Sequence, residues 1–196
     1  FFEDINFNGD GGLYAELVKN RSFEFPKTMM GWRPIQGGQA AGKWTITEGQ
    51  DPLNAANPNY LRLDVQNPGE GFGLTNEGFR GIGINKGDKY YFSVFARSSS
   101  AMSLKVEVVA ADGRKLLEGT LDNITGDWKN YHCLMTATET DAKASLNLLA
   151  AKAGTVDLDM ISLFPENSAQ QMAGRTAPGL RKDVVAILAA MKPGIF

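Results

Sequence analysis

With 196 residues, 43% of them hydrophobic and 21% charged, the chain can bury a real core and has room for one β domain with a small annex, or for two small domains. Its net charge of −2 argues against nucleic acid and anionic membrane as partners, since both call for a concentrated basic face. A single cysteine, Cys133, excludes an internal disulfide, and no run of about 18 apolar residues marks a membrane span.

The chain opens Phe1-Phe2-Glu3-Asp4-Ile5-Asn6, with no initiator Met and no leader, and reads as cut from a longer sequence. Residues 1–5 form a short apolar strand pattern, and Asn8-Gly9-Asp10-Gly11-Gly12 is a turn cluster. Residues 13–19 fit about two helical turns, with Leu13/Leu17 and Tyr14/Val18 at i, i+4 spacing. Residues 22–25 begin a β region. Strands are then predicted over 43–47, 60–65, 71–74, 79–84, 89–97, 103–110, 116–121, 128–138, 144–150 and 155–164. The separators carry turn chemistry, among them Asn67-Pro68-Gly69, Lys86-Gly87-Asp88, Ala111-Asp112-Gly113 and Thr125-Gly126-Asp127. Short strands at this spacing without helices between them predict an all-β fold, an antiparallel sandwich.

The most informative strand is the last one. Read with a period of two, Val156, Leu158, Met160 and Phe164 fall on one face, and Asp157, Asp159, Ile161 and Leu163 on the other. A strand apolar on both faces belongs inside a layer, and its two carboxylates must be wet or neutralised by a cation. Residues 165–179 read as a linker. Leu180, Val184, Ile187, Leu188 and Met191 then form one helical stripe, stopped by Lys192-Pro193-Gly194, after which Ile195-Phe196 begins a new apolar run. The two ends look like pieces of one β/α layer with the sandwich inserted between them.

Those ends carry a resemblance. Phe1-Phe2-Glu3-Asp4-Ile5-Asn6, the segment from Gly11-Gly12-Leu13-Tyr14 to Arg21-Ser22-Phe23-Glu24, Gly179-Leu180-Arg181-Lys182-Asp183, and Lys192-Pro193-Gly194-Ile195-Phe196 are similar to α-L-arabinofuranosidases of glycoside hydrolase family 51. Asn76-Glu77-Gly78-Phe79-Arg80-Gly81-Ile82 and Leu158-Asp159-Met160-Ile161-Ser162-Leu163-Phe164-Pro165 resemble the jelly-roll insert of its larger members, itself similar to carbohydrate-binding modules of families 4 and 9. The resemblance implies three parts: residues 1–20 as the first strand and lead-in of a (β/α)8 barrel, 21–165 as a jelly-roll module, and 166–196 as a linker and the first barrel helix. It implies retaining hydrolysis by two glutamates that sit on later barrel strands, so this chain is expected to have no activity of its own. Glu3, at the C-terminal end of the barrel strand, would touch bound arabinose in the parent enzyme.

Residue by residue, other chemistry is thin. His132 and Cys133 are adjacent on a strand, so they point to opposite faces and cannot form a Cys–His nucleophile pair. The Gly78-Phe79-Arg80-Gly81-Ile82-Gly83 segment lacks the spacing and the following helix of a phosphate cradle. Glu24, Asp157 and Asp159 come from the first and last sandwich strands, where modules of this type hold a structural calcium. Glu24 and Asp159 are the expected pair, with Asp157 a weaker third; the alternative is an exposed Asp157 and a Glu24 bonded to backbone amides.

Sugar binding needs exposed aromatic planes flanked by planar polar groups. Trp44 and Trp128 read as core, whereas Trp32 and Tyr60, in irregular surroundings, are the expected platforms, followed by Phe72, Asn76 and Phe79. Arg97 and Gln66 are available to bond hydroxyls. Two functions stay open: an accessory carbohydrate-binding module for arabinose-containing plant polysaccharides such as arabinan, or a structural insert that braces the barrel or mediates oligomerisation. A periplasmic or secreted enzyme is expected. The apolar ends, residues 1–5 and the helix, should pack together or meet another copy, giving a homo-oligomer.

Overall fold

The computed structural model describes residues 12–166, 168 and 179–191. Among these residues lie nine strands, β1 (Trp32–Gly37), β2 (Ala41–Glu48), β3 (Asn59–Asn67), β4 (Gly71–Asn76), β5 (Ile82–Ile84), β6 (Lys89–Val109), β7 (Lys115–Thr136), β8 (Asp141–Ala150) and β9 (Gly154–Pro165), and one helix, α1 (Lys182–Ala190). All strand pairs are antiparallel, in the order β1-β4-β8-β6-β9-β3-β2, with β5 on β8 and β7 on β6. The antiparallel sandwich expected from the strand spacing is therefore present.

What makes two layers of one sheet is the length of β6 and β7. The first half of β6 pairs with β9 through Tyr90 to Arg97, and its second half pairs with β8 through Leu104 to Val109. Between them the β6–β7 register slips repeatedly around Ser98 and Met102, and Asn123 and Gly126 of β7 have positive φ. Those irregularities bend the pair from one layer to the other. One layer holds β1, β4, β8 and the later half of β6. The facing layer holds β2, β3, β9 and the earlier half. Tyr90, Phe92, Val94 and Ala96, then Leu104, Val106 and Val108, alternate into the space between, against Leu146 and Leu148 of β8 and Leu61 and Leu63 of β3. Residues 89–97 and 103–110, predicted as separate strands, are thus one, as are 116–121 and 128–138.

Several local expectations are overturned. Residues 13–19 form no helix. The Leu17 amide donates to the Leu163 carbonyl at 3.1 Å, and the Ile161 amide donates to the Arg21 carbonyl at 2.9 Å, so this segment runs beside β9. Glu16, fully buried, fixes it there: its carboxylate accepts from Ser162 Oγ at 2.6 Å and from the Leu163 and Val18 amides at 3.0 Å each. Burial pushes the Glu16 pKa up, although all of these donors favour the carboxylate. Residues 22–25 are not a strand, and residues 79–84 supply only the short β5. Among the described residues the first strand is β1, hidden in the sequence by Gly31 and Pro34; Pro34 is tolerated because β1 lies at an edge.

The face assignment along β9 also changes. Asp159 pairs with Phe95 and Ser162 with Ser93, so β9 spends one residue more than β6 over this interval, and Met160 takes φ 51°. This bulge brings Ile161 and Leu163 into the core beside Val156 and Leu158. Helix α1 follows an antiparallel bridge between Tyr14 and Leu180; none of its residues is buried. Residues 1–5, Glu3 among them, and Ile195-Phe196 lie outside the described residues.

Gly73 shows how closely β4 and β8 approach: a Cβ placed there would lie 1.8 Å from the Leu148 carbonyl oxygen. Gly73→Ala is expected to cost about 1–3 kcal/mol or more through forced strand separation, read as a lowered midpoint in urea unfolding; an unchanged midpoint would contradict this packing.

Candidate functional site

On the face of its layer turned away from the core, β9 carries Asp157 directly between Arg62 of β3 and Arg97 of β6. Arg62 clamps the carboxylate in bidentate fashion, Nε to Oδ1 at 2.7 Å and Nη2 to Oδ2 at 2.9 Å, and Arg97 Nε donates to Oδ2 at 2.8 Å. Hydrogen bonding to Asp157 drives the Arg62 pKa further up. With 4% of its surface exposed, Asp157 would be costly to bury alone; two guanidiniums compensate it.

Aromatic rings complete this row. Tyr60, two residues before Arg62, shares its face and is covered by the edge of Trp128 (5.4 Å, 81°) and by Arg97, whose Cζ lies 5.2 Å from the Tyr60 centroid and 4.7 Å from that of Trp128. Trp128 Nε1 donates to the Asp51 carbonyl at 3.2 Å, and Arg97 also pairs with the Asp51 carboxylate and donates to Tyr60 Oη at 3.1 Å. Arg62, Arg97, Asp157, Thr155, Ser98 and Asp127 line a cleft of about 340 Å³ beside the partly exposed Trp128. Charged planar groups held rigidly next to an indole can bond vicinal hydroxyls while the ring packs on C–H groups.

The other end of the same face is apolar. Tyr91, 39% exposed, stacks on His132 (5.4 Å, 29°) beside Leu134 and Phe164. His132 thus faces outward, while Cys133 points to the core with its thiol pushed up to about 11 by burial, which leaves it inert at neutral pH.

Between the two ends, Asp159 is almost wholly buried and accepts from the Met160 amide at 2.6 Å. Desolvation, with the nearby Glu24 charge adding to it, raises its pKa to about 7. Glu24 accepts from the Asn59 backbone amide at 2.8 Å and from Asn59 Nδ2 at 2.7 Å. Of the expected pair, Glu24 is thus bonded to a backbone amide, as the alternative reading had it, while its charge still acts on Asp159. Asp157 does not join them, because both its oxygens are taken by arginine. Among the described residues no group of three or more His, Cys, Asp or Glu is arranged to hold a metal, so a cation here would need carbonyl oxygens beside this pair.

The expected sugar platforms are placed otherwise. Trp32 is buried, donating from Nε1 to the Asn20 carbonyl at 2.9 Å and packing on Phe23. Phe72 is fully buried and stacks at 4.3 Å on Trp44. Asn76, also buried, ties the Lys19 backbone to the Gly78 amide. None of these three can meet a ligand, since each is spent on packing or backbone bonding. Tyr60 lies on the right face but forms the floor beneath Trp128 and Arg97. Phe79 alone of the five is partly exposed.

The sequence matches the carbohydrate-binding domain family of the family 4 and 9 type over residues 15–154, most of the chain. The chain belongs to that family. Across 196 residues this carbohydrate-binding domain is 39% identical to the extracellular exo-α-L-arabinofuranosidase of Streptomyces chartreusis, an alignment covering 99% of the chain and 22% of that enzyme. It is similar, with a TM-score of 0.82 and 32% identity, to an arabinose-bound α-L-arabinofuranosidase of glycoside hydrolase family 51, covering 100% of this chain and 32% of the other. The paired carbohydrate-binding and catalytic modules of Clostridium thermocellum xylanase 10B, complexed with xylohexaose, share the fold at a TM-score of 0.54 and 18% identity, covering 78% of this chain and 29% of that one. The chain thus spans less than a third of each of these relatives.

Arg62, Trp128 and Asp51 of the carbohydrate-binding domain are the residues sequence reading missed. Alternation along 60–65 and 155–164 does place Tyr60 with Arg62 and Asp157 with Asp159, but only the strand register sets Arg62, Asp157 and Arg97 side by side.

Because Asp159 holds its proton more tightly in the fold than in the unfolded chain, its contribution is complete below about pH 4 and is lost as pH rises through 7. In chelator, the melting temperature is expected to fall across that window, and Asp159→Asn to flatten the profile and raise it at pH 8. A variant profile parallel to that of the unsubstituted protein would refute the assignment.

Proposed function

We propose that this carbohydrate-binding domain is the accessory module of an α-L-arabinofuranosidase that removes terminal arabinofuranosyl residues from plant polysaccharides, and that it holds saccharide in the cleft of Arg62, Arg97 and Asp157 beside Trp128. The supporting observation is the partly exposed indole beside a fixed Arg–Asp–Arg row, the combination a hydroxyl-rich ring with one apolar face calls for. Arabinose-containing polymers such as arabinan are the proposed ligands. Hydrolysis in this reading belongs to a (β/α)8 barrel outside the sandwich, with Glu3 as an arabinose contact. The working compartment is periplasmic or extracellular; among the described residues no helix is long and apolar enough to cross a membrane. Glu24 and Asp159, with carbonyl oxygens, are proposed to hold a structural Ca2+ that offsets their mutual repulsion.

A second reading, a non-binding brace for the barrel, draws on the other layer. Its outward row runs Arg33, Thr75, Asn147, Glu107 and Glu118 across neighbouring strands, and among the described residues none of the exposed large hydrophobic side chains lies on that face.

Affinity electrophoresis in gels containing arabinan or arabinoxylan separates the two readings. Retardation is expected, with Trp128→Ala weakening it roughly tenfold through lost ring contact while circular dichroism still reports a folded sandwich. Unretarded migration with every polysaccharide decides for the brace. For the metal, added Ca2+ is expected to raise the melting temperature of the unsubstituted chain and to leave Asp159→Asn unmoved; equal responses would eliminate the site.

A further inference from the structure

The charge row at the cleft does not close on itself. Asp157, nearly removed from solvent, lies between two guanidiniums, so Arg62, Asp157 and Arg97 together carry one net positive charge. Among the described residues the only other carboxylate paired with either arginine is Asp51, which meets Arg97 Nη1. The two ends of that pair are unlike: the Arg97 side chain is 15% exposed and that of Asp51 87%. A charge held in the protein is thus balanced by one standing in water, and exposed ion pairs are weak and screened by salt.

The Asp51 carboxylate can also leave without disturbing its surroundings. Its backbone stays fastened, because the Asp51 carbonyl accepts from Trp128 Nε1 at 3.2 Å and the Gln50 carbonyl accepts from Tyr60 Oη at 2.9 Å. Arg97 stays in place too, since its Nε donates to Asp157 at 2.8 Å and its Nη2 to Tyr60 Oη at 3.1 Å. Rotation of one exposed side chain therefore frees Arg97 Nη1. Arg62 spends Nε and Nη2 on Asp157, while its Nη1 has no acceptor among the described residues. The other charges nearby are matched. Asp64 has Lys43 as its direct cross-strand partner and accepts from Thr155 Oγ1 at 2.8 Å. At the rim, Asp127 is offset by Lys129, whose Nζ lies 3.8 Å from where a Cβ on Gly126 would stand.

We propose that Arg97 is a carboxylate subsite, at which a uronic acid residue of an arabinose-containing polysaccharide replaces Asp51; this rests on the saccharide reading above. The exchange conserves charge, one carboxylate for another, at a planar guanidinium suited to it. The sugar ring that bears the carboxylate then falls beside Trp128, whose centroid lies 4.7 Å from Arg97 Cζ, and Arg62 Nη1 remains for a hydroxyl. Asp51 sets the selectivity. As an internal competitor it keeps out free carboxylates, and a uronic acid residue displaces it because the ring contact comes with the charge.

Isothermal titration calorimetry compares arabinoxylan oligosaccharides bearing glucuronic acid with the same oligosaccharides after their carboxyl groups have been reduced to alcohols. The acidic form is expected to bind more tightly, with the difference lost in about 1 M salt. Asp51→Asn keeps the backbone bonds of the loop and should raise the ratio of acidic to reduced affinity about fivefold, the worth of one exposed ion pair, with an unchanged circular dichroism spectrum. Equal affinity for the two forms overturns the subsite and leaves the saccharide reading standing. A ratio that Asp51→Asn does not move overturns it as well. Binding of the acidic form alone keeps the subsite and removes the neutral polysaccharides from the proposed ligands, whereas heat from neither form sinks the saccharide reading and the subsite with it.

Discussion

The bulge at Met160 is the constraint on which the rest of this sandwich depends. Before it, β9 pairs with β3; beyond it, β9 accepts the N-terminal segment through Leu17 and Arg21. One extra residue in a non-glycine left-handed conformation carries a local cost of order 1–3 kcal/mol. What it secures is that Leu158, Ile161 and Leu163 all reach the core. A regular strand would have turned Ile161 and Leu163 outward with the aspartates and opened the centre of the layer.

The same strand shows how environment divides the roles of two similar residues. Asp157 and Asp159 are two apart and on one face, and each is nearly removed from solvent. Asp157 meets two guanidiniums and is neutralised in place. Asp159 is desolvated with one backbone amide for a donor, and burial, with the repulsion of Glu24 added, raises its pKa to about 7. Cross-strand arginines from β3 and β6 reach Asp157 and leave Asp159 without a strand-borne cation of its own, which makes the difference.

The outward face of this layer therefore has a polar end, where Arg97 lies over Tyr60 and Trp128, and an apolar end around Tyr91 and Leu134. Long β6 and β7 connect the two layers without a break, so both ends are held on one rigid scaffold. Such a scaffold fits the carbohydrate-binding domain family to which the chain belongs.

Composition, turn chemistry and period-two alternation determined by themselves that the chain is an antiparallel sandwich, that β9 is interior, and that its carboxylates demand compensation, because these depend on neighbours along the chain. They also separated His132 from Cys133, since adjacent strand residues take opposite faces. Register and layering belong to the tertiary structure alone. The pairing of Asp157 with Arg62 and Arg97 joins residues 95 and 60 positions apart. The burial of Trp32, Phe72 and Asn76 follows from which layer lies above them, and the helix expected over 13–19 gave way to hydrogen bonds with β9. Local propensity amounts to tenths of a kcal/mol per residue, whereas burying Glu16 against Ser162 and Leu163 draws on several charge-assisted hydrogen bonds at once. The larger sum decided.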